Sequence, residues 1–394
     1  MLAIPIIYNI RNLTSRKVST ALTVAGVALA VGVLLVVMML THGLNYALVE
    51  SGSPDNAIIL RKSSTSETLS GLGLDTVSVL RTLPEIATDP QGRALVAAEA
   101  VVGVNLLRRG QTGARSGSNV TVRGIEERSM ALRPLLRVVE GREPTLGKPE
   151  ILAGKNAARG FQGCEVGGSI PMGGLDWQVV GVFEAGGSAF ESELWGDGKL
   201  LTQAFGREGG YSSVTFRLKD PELSLDATQA RLDADPRLNV EVKRERDYYA
   251  TSSSALLILI QILGGVLVVL FSFGGVLGAM VTMFAFVGSR TREIGTLRAL
   301  GFSRRSILSS FLIESILLSL AGGVIACIPA LLVQNLTFST TNFTTFTDVT
   351  WNFRASPTIL ASGLVFAVVL GVAGGLIPAA RAATMPILRA LREG

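Results

Sequence analysis

The stretch Ser289–Ile307, SRTREIGTLRALGFSRRSI, decides how the rest of the chain is read. It carries Arg290, Arg292, Arg298, Arg304 and Arg305, and it separates two apolar runs. Residues 248–289 before it hold no charge, and residues 306–333 after it hold only Glu314. A membrane helix needs about 20 mostly apolar residues to cross roughly 30 Å of hydrocarbon, so both runs qualify as spans. Read as a helix, the segment places Ile294, Leu297 and Leu300 on an apolar ridge at i, i+3 and i+6. Arg290, Arg292, Glu293 and Arg298 lie around the other faces. Gly301 stops this helix and Ser303 caps the next. On physical grounds the segment is either a docking helix that a partner grips or a solvated amphipathic connector.

Working outward, two further runs qualify as spans. Residues 18–41 (VSTALTVAGVALAVGVLLVVMMLT) and 355–380 are charge-free. The first run is too long for the apolar core of a cleaved signal peptide, and no clear A-x-A site follows it. Segment 42–253 holds 24 Lys/Arg against 27 Asp/Glu, which leaves 12 against 4 for the remainder of the 36 and 31. The excess basic residues precede the first span (Arg11, Arg16, Lys17), lie between spans two and three, or follow span four (Arg381, Arg389, Arg392). The positive-inside bias therefore places both termini and the 286–305 segment in the cytoplasm. The expected fold is an α-helical membrane protein with four transmembrane helices and a mixed α/β extracytoplasmic domain between helices 1 and 2.

The expected organisation follows the charge boundaries. Residues 1–17 form an amphipathic helix on the cytoplasmic lipid surface, or else the mere start of span one (18–41). Segment 42–253 is the outer domain. Residues 254–285 are a stalk and span two, because the charge-free run would reach roughly 60 Å as a helix. Then come 286–305, span three (306–333), an outer loop (334–354), span four (355–378) and a tail (379–394). Small residues four apart (Gly26/Ala30, Gly274/Gly278, Gly322/Ala326/Ala330, Gly371/Gly375) predict close helix packing in lipid.

In the outer segment, strands are expected at Ala57–Arg61, Ala97–Leu107, Asn119–Gly124, Leu136–Val139, Gly168–Pro171, Asp176–Phe183, Ser213–Leu218 and Asn239–Lys243. Helices are expected at Asp75–Leu83, Asn156–Gln162 and Leu225–Asp233. Ser64–Leu74 reads as a flexible loop. The loop Gly186–Asp197 carries Phe190, Glu191, Glu193 and Trp195. It reads equally as a substrate or partner contact and as a connector between two lobes.

Catalytic chemistry finds no seat in this sequence. The single histidine, His42, excludes a multi-His metal site. No G-x-S-x-G elbow occurs. The nearest approach to a P-loop, Gly141–Pro149, has one residue too many between its glycines and proline where Ser/Thr must bind magnesium. No metal, cofactor or catalytic residue is expected, and no basic stripe interleaved with aromatics points to nucleic acid. Cys164 and Cys327 fall in different segments, so no disulfide between them is expected. Glu314, about eight residues inside span three, is costly unless paired or hydrated. It reads as a structural partner for an arginine of the 289–307 segment or for a polar group on span two or, alternatively, as part of a proton or ion pathway.

Three features together resemble the FtsX-like permeases, the four-span subunits of MacB/LolC-type ABC transporters. They are the TREIGTLRALGFS segment, the basic lead into the first span (Arg11-Asn12-Leu13 through Val27), and the ending PAARAATMPILRALR (Pro378–Arg392). Within the outer segment, Glu140–Pro144, Glu150–Gly160, Gly167–Pro171, Val179–Phe183 and Gly187–Asp197 resemble the MacB-like periplasmic core domain. The resemblance implies that Arg290, Arg292, Glu293, Ile294, Leu297, Arg298, Leu300 and Gly301 belong to a coupling helix that docks on a cytoplasmic ABC ATPase. It also implies two ATPase copies, a second permease copy, identical or not, and a bacterial inner-membrane location in contact with membrane lipids. The sequence opens at the membrane helix, a layout like LolC/LolE or DevC, so the ATPase is expected on a separate chain. ATP-driven motion passed to the outer domain would export or extract lipids, lipoproteins, peptides or hydrophobic compounds. A periplasmic adaptor and an outer-membrane channel are further expected partners. The alternative is an FtsX-like signalling subunit that regulates cell-wall hydrolases.

Overall fold

The computed structural model describes residues 17–49, 51–111, 117–222, 225–334, 336–341 and 347–387. The amphipathic helix expected over 1–17 lies, but for Lys17, outside the described residues, as do Arg389 and Arg392. In chain order the elements are α1 (Lys17–Leu48), β1 (Asn56–Arg61), β2 (Leu72–Gly73), α2 (Leu74–Leu80), β3 (Val96–Leu107), β4 (Gly117–Ile125) and β5 (Arg137–Gly141). There follow β6 (Glu150–Gly154), α3 (Lys155–Gly160), β7 (Ser169–Met172), β8 (Leu175–Glu184), β9 (Leu194–Asp197) and α4 (Gly198–Ala204). Next are β10 (Gly210–Tyr211), β11 (Ser213–Arg217), α5 (Asp226–Asp233), β12 (Val240–Arg244), α6 (Glu245–Ser289) and α7 (Thr291–Ala299). The chain closes with α8 (Arg304–Val333), β13 (Thr337–Thr341), β14 (Asp348–Asn352) and α9 (Pro357–Thr384).

Two compact units emerge. Among the described residues, one holds those within 17–42, 258–336 and 352–387; the other holds those within 43–257 and 337–351. Among the described residues, four helices, lying mostly in the first unit, are long and apolar enough to cross a membrane: Thr20–Leu48, Leu256–Ser289, Arg304–Val333 and Pro357–Thr384. Ser303 and Ser356 cap α8 and α9 by accepting from Ser306 N and Ile359 N, both at 3.2 Å. The small residues of α8 and α9 face each other. A Cβ on Gly375 would lie 2.6 Å from Ser315 Oγ, and one on Gly371 would lie 2.9 Å from Ser319 Oγ. Ser315 Oγ donates to the Gly371 carbonyl at 2.8 Å. Such contact is what holds helices together where lipid offers no hydrophobic drive. The expected ridges on spans one and two do not all follow. A Cβ on Gly26, Gly32, Gly274 or Gly278 would meet nothing within 4 Å. Gly264 instead packs against Val37. Spacing identifies a small-residue stripe but not the direction it faces.

In the second unit a ten-stranded sheet runs in the order β12-β1-β11-β3-β4-β9-β6-β8-β5, with β7 also paired to β8. β3 links two lobes by changing partner along its length. Val96–Glu99 pair antiparallel with β11, and Ala100–Leu107 pair antiparallel with β4. One lobe packs around Ala57, Ile59, Leu80 and Phe216. The other packs around Val120, Val122, Ile151 and Trp177. Cys164 is buried here and free; burial lifts its thiol to about 12.

Three readings are corrected by the structure. Ser64–Leu74 is not a free loop, since it contains a 3-10 turn (Glu67–Leu69) and β2, and it buries Glu67. The 334–354 loop contains β13 and β14, which belong to the outer unit. Four further elements, β6, β9, β10 and α4, were not expected at all. β6 and β9 are short interior strands whose faces are both covered, so they show no alternation to read.

Candidate functional site

The central basic segment forms α7 between α6 and α8. Gly301, at φ +95°, closes α7 with a pair of bonds from Phe302 N to Leu297 O (3.1 Å) and from Gly301 N to Arg298 O (3.2 Å). This Schellman arrangement needs a left-handed residue, which glycine adopts at no steric cost. The expected ridge divides. Ile294 is buried among Met283, Phe286, Val287, Ile307 and Phe311. Leu297 and Arg298 are half-buried, and Arg292, Glu293 and Leu300 are exposed, Leu300 at 68%. The reason is geometric: each step of three residues falls about 60° short of a full turn, so Leu300 ends about 120° from Ile294. Ile294 is therefore an anchor and is not open to a partner.

Arg290, at the N-cap of α7, donates from Nη1 to Glu314 Oε2 on α8 at 3.1 Å. Glu314 is buried and Arg290 half-buried, and Glu314 Oε1 has no hydrogen-bond partner among the described residues. α7 is thus fastened by an apolar anchor and a charged one, while Arg292, Glu293 and Leu300 stay outside.

The Gly186–Asp197 loop turns its four singled-out side chains inward. Phe190, Glu191, Glu193 and Trp195 are all buried. The aromatic rings of Phe190 and Trp195 meet edge-on at 5.6 Å, and Arg133 lies over both, 4.9 and 5.2 Å from their centroids. Glu191 Oε1 accepts from Ala185 N (2.9 Å) and Gly187 N (2.6 Å), so it closes the loop on itself. Aromatic area this large is more stable out of water, so the two rings pack inside the domain.

Around this loop lies a buried ion network. Arg123 on β4 donates to Glu193 through Nε (2.8 Å) and Nη2 (3.0 Å), to Glu67 through Nη1 (2.9 Å), and to Glu99 on β3 (2.9 Å). Arg133 binds Glu99 with both terminal nitrogens at 2.7 Å. Glu245, the first residue of α6, lies 3.7 Å from Arg133 and accepts from Asn56 Nδ2 (2.9 Å) and Ser53 N (3.0 Å). Tyr248 and Tyr249, in the next turn of α6, hydrogen-bond the Glu67 N–H and carboxylate at 2.9 and 3.3 Å. Burial opposes charge on Glu99, but Arg133 and Arg123 outweigh it and hold the carboxyl below its ordinary value. Glu245 shifts the other way, because burial outweighs its neighbour Arg133 and pushes it up. Burial likewise pushes the Tyr249 hydroxyl well up, reinforced by Glu67. None of Glu67, Glu99, Arg123, Arg133 and Glu245 was singled out from sequence. The available signal was Glu99 within the apolar run Ala97–Val104 and Arg123 within an alternating strand, each demanding a partner if buried.

Comparison with known proteins matches residues 20–235 to the MacB-like periplasmic core domain and residues 265–387 to the FtsX-like permease C-terminal domain. An ABC transporter permease, YknZ, of Bacillus subtilis is 25% identical over 96% of this chain and 96% of its own length. The pyoverdine export ATP-binding/permease protein PvdT of Pseudomonas entomophila is 30% identical over 57% of this chain and 35% of its own. The macrolide export ATP-binding/permease protein MacB of Brucella melitensis is 27% identical over 72% and 44%. The chain thus spans less than half the length of these two export relatives. The periplasmic region of MacB from Actinobacillus actinomycetemcomitans aligns at TM-score 0.37 and 13% identity, over 54% of this chain and 95% of that one. With residues 20–235 and 265–387 both matched, the protein belongs to the FtsX-like, MacB-type ABC transporter permeases.

Proposed function

We propose that this chain is a non-catalytic permease subunit that converts ATP hydrolysis on a separate cytoplasmic ABC ATPase into movement of its outer domain. The observation that carries this reading is α6. It runs without a break from Glu245, in the buried ion network, to Ser289, one residue before the N-cap of α7. Its 45 residues make a rod of about 68 Å, more than twice the hydrocarbon thickness. Displacement of α7 therefore has a continuous helical path to the outer domain. In this reading α7 is the coupling helix, and Arg292, Glu293 and Leu300 form the face offered to the ATPase. Two permease copies would pair around two ATPases in the bacterial inner membrane, termini in the cytoplasm. The cargo would be lipids, lipoproteins, peptides or hydrophobic compounds, and relatives named for pyoverdine and macrolide export support the last class. A periplasmic adaptor and an outer-membrane channel would complete an export path.

The test uses tagged chain copurified with its cognate ATPase and assayed in lipid nanodiscs. Arg292→Glu/Leu300→Asp alters only exposed side chains, so stability should stay within about 0.5 kcal/mol of wild type. Complex formation and stimulated ATP hydrolysis should be lost. A variant complex that assembles and hydrolyses as wild type would remove α7 as the docking element.

A further inference from the structure

The segment between the last two spans is built into the outer unit rather than lying free. β13 and β14 pair with each other, and residues 337–351 group with the outer domain. Thr347, Asp348 and Val349 are buried. Arg108, at the end of β3, pairs through Nη2 with Asp348 Oδ2 and donates to Ser339 Oγ at 3.0 Å. Arg108 is itself held in place: its Nε donates to Ser118 Oγ on β4 at 3.0 Å, and its guanidinium lies 5.7 Å from the centre of the Phe161 ring. The other Asp348 oxygen accepts from Thr341 Oγ1 at 3.2 Å. Thr121 Oγ1 on β4 donates to Thr347 Oγ1 at 3.0 Å, and Thr350 N donates to Ser192 Oγ at 3.0 Å. Ser192 is the neighbour of Glu193, which grips Arg123. A cavity of about 60 Å³ is lined both by Thr347–Val349 and by Tyr248, Tyr249 and Arg123. The hairpin and the first turns of α6 thus border one space in the outer unit.

The links from this hairpin to the spans are short. Only residues 334–336 separate α8 from β13, and only 353–356 separate β14 from α9. Four residues reach at most about 14 Å when fully extended, so such links take up little slack. Phe353 and Ala355 in the second link pack against the apolar cluster of the spans.

We propose that the 337–352 hairpin is a second drive point on the outer domain, and that Arg108 and Asp348 are the positioning residues that clasp it there. The proposal rests on the motor-driven reading above and adds to it. Motion of α8 and α9 would enter the outer unit through the hairpin, as motion of α7 enters through α6, and both arrive beside Arg123. If the clasp is broken, the spans can move while the hairpin slides against β3 and β4.

The experiment places spin labels at exposed Leu146 in the outer domain and Val365 on α9, in full-length chain with its ATPase in nanodiscs. Cys164 and Cys327 are replaced by alanine so that only the introduced sites react. Wild type should show a distance change on adding ATP. Asp348→Asn and Arg108→Gln should cut that change at least twofold with complex assembly and basal ATP hydrolysis retained, and the swap Arg108→Asp/Asp348→Arg should restore it. A change of wild-type size in an assembled Asp348→Asn complex overturns the clasp alone. No change in wild type overturns the motor-driven reading and the clasp with it. If Asp348→Asn fails to assemble, the swap decides: assembly with the change restored supports the clasp, and assembly without it overturns it.

Discussion

The outer unit encloses a network of charged side chains, whereas the membrane unit brings small residues into close contact. In the outer unit Arg123, Arg133, Glu99 and Glu245 are almost wholly enclosed and bind one another across four segments. In the membrane unit Gly371 and Gly375 meet Ser315 and Ser319, with side chains little larger than a methyl group on either side. The difference follows from the surrounding solvent. A water-exposed domain gains stability by taking apolar area out of water, and that gain can carry enclosed ions provided each is paired. Lipid gives no such gain between helices, so close approach and dispersion contacts must hold them. In the membrane unit the half-buried Arg290 pairs with buried Glu314 where α7 meets α8, at the segment that links spans two and three.

The largest effect that would break this comparison lies at Arg123. Arg123→Ala leaves Glu67, Glu99 and Glu193 without their shared cation, and removal of one partner from a buried pair costs about 3–5 kcal/mol. Denaturant unfolding followed by the fluorescence of enclosed Trp177 and Trp195 measures it; a loss under about 1 kcal/mol would mean that apolar packing alone sustains the outer unit.

A smaller effect is expected at the helix contact. Gly375→Leu forces α8 and α9 apart and should cost about 1–3 kcal/mol. Gly278→Leu, at a site open on all sides within the chain, should cost only a few tenths of that. Thermal unfolding in bicelles compares the two. Equal losses would show that the small residues act through helix propensity and not through contact.

The smallest effect is in the pH dependence, where the outer unit's own carboxylates oppose each other. Arg142 beside Glu150 holds that carboxyl down at about 2 from its ordinary 4.5. Its folded value is depressed, so its stabilisation is present above about 4.5 and is lost as pH falls toward about 2. Glu99 acts in the same direction. Glu245 is raised, so its contribution is present below 4.5 and is lost as pH rises through its folded value. Glu150→Gln should therefore flatten the acid limb of a stability-versus-pH curve, and Glu245→Gln should improve stability at neutral pH relative to acid. An unchanged acid limb in Glu150→Gln would show that the Arg142 pair does not persist in solution.

Some of this was legible in the residues themselves. The strands around Val122 and Val179 could be placed because apolar and polar residues alternate along Val120–Arg123 and Asp176–Val179, and the end of α7 because Gly301 is needed there. The 337–352 hairpin was not legible. Its Ser/Thr-rich run reads as solvated chain until Arg108 and Thr121, more than 220 residues earlier in sequence, are brought beside it. The aromatic loop was ambiguous for the same reason. Phe190 and Trp195 look the same in sequence whether they face a partner or stack beneath Arg133.

By itself the sequence determined that four segments are long and apolar enough to cross a membrane, because the cost of placing a segment in hydrocarbon sums residue by residue along the chain. The order of the segments and the family follow from the same local patterns. Only the tertiary structure decided which faces are enclosed: that Ile294 anchors while Leu300 is exposed, that Gly375 packs while Gly278 does not, and that Arg123 finds Glu67 and Glu193 at separations of 56 and 70 residues. Such pairings depend on distances between segments remote in the chain, and no local pattern encodes them.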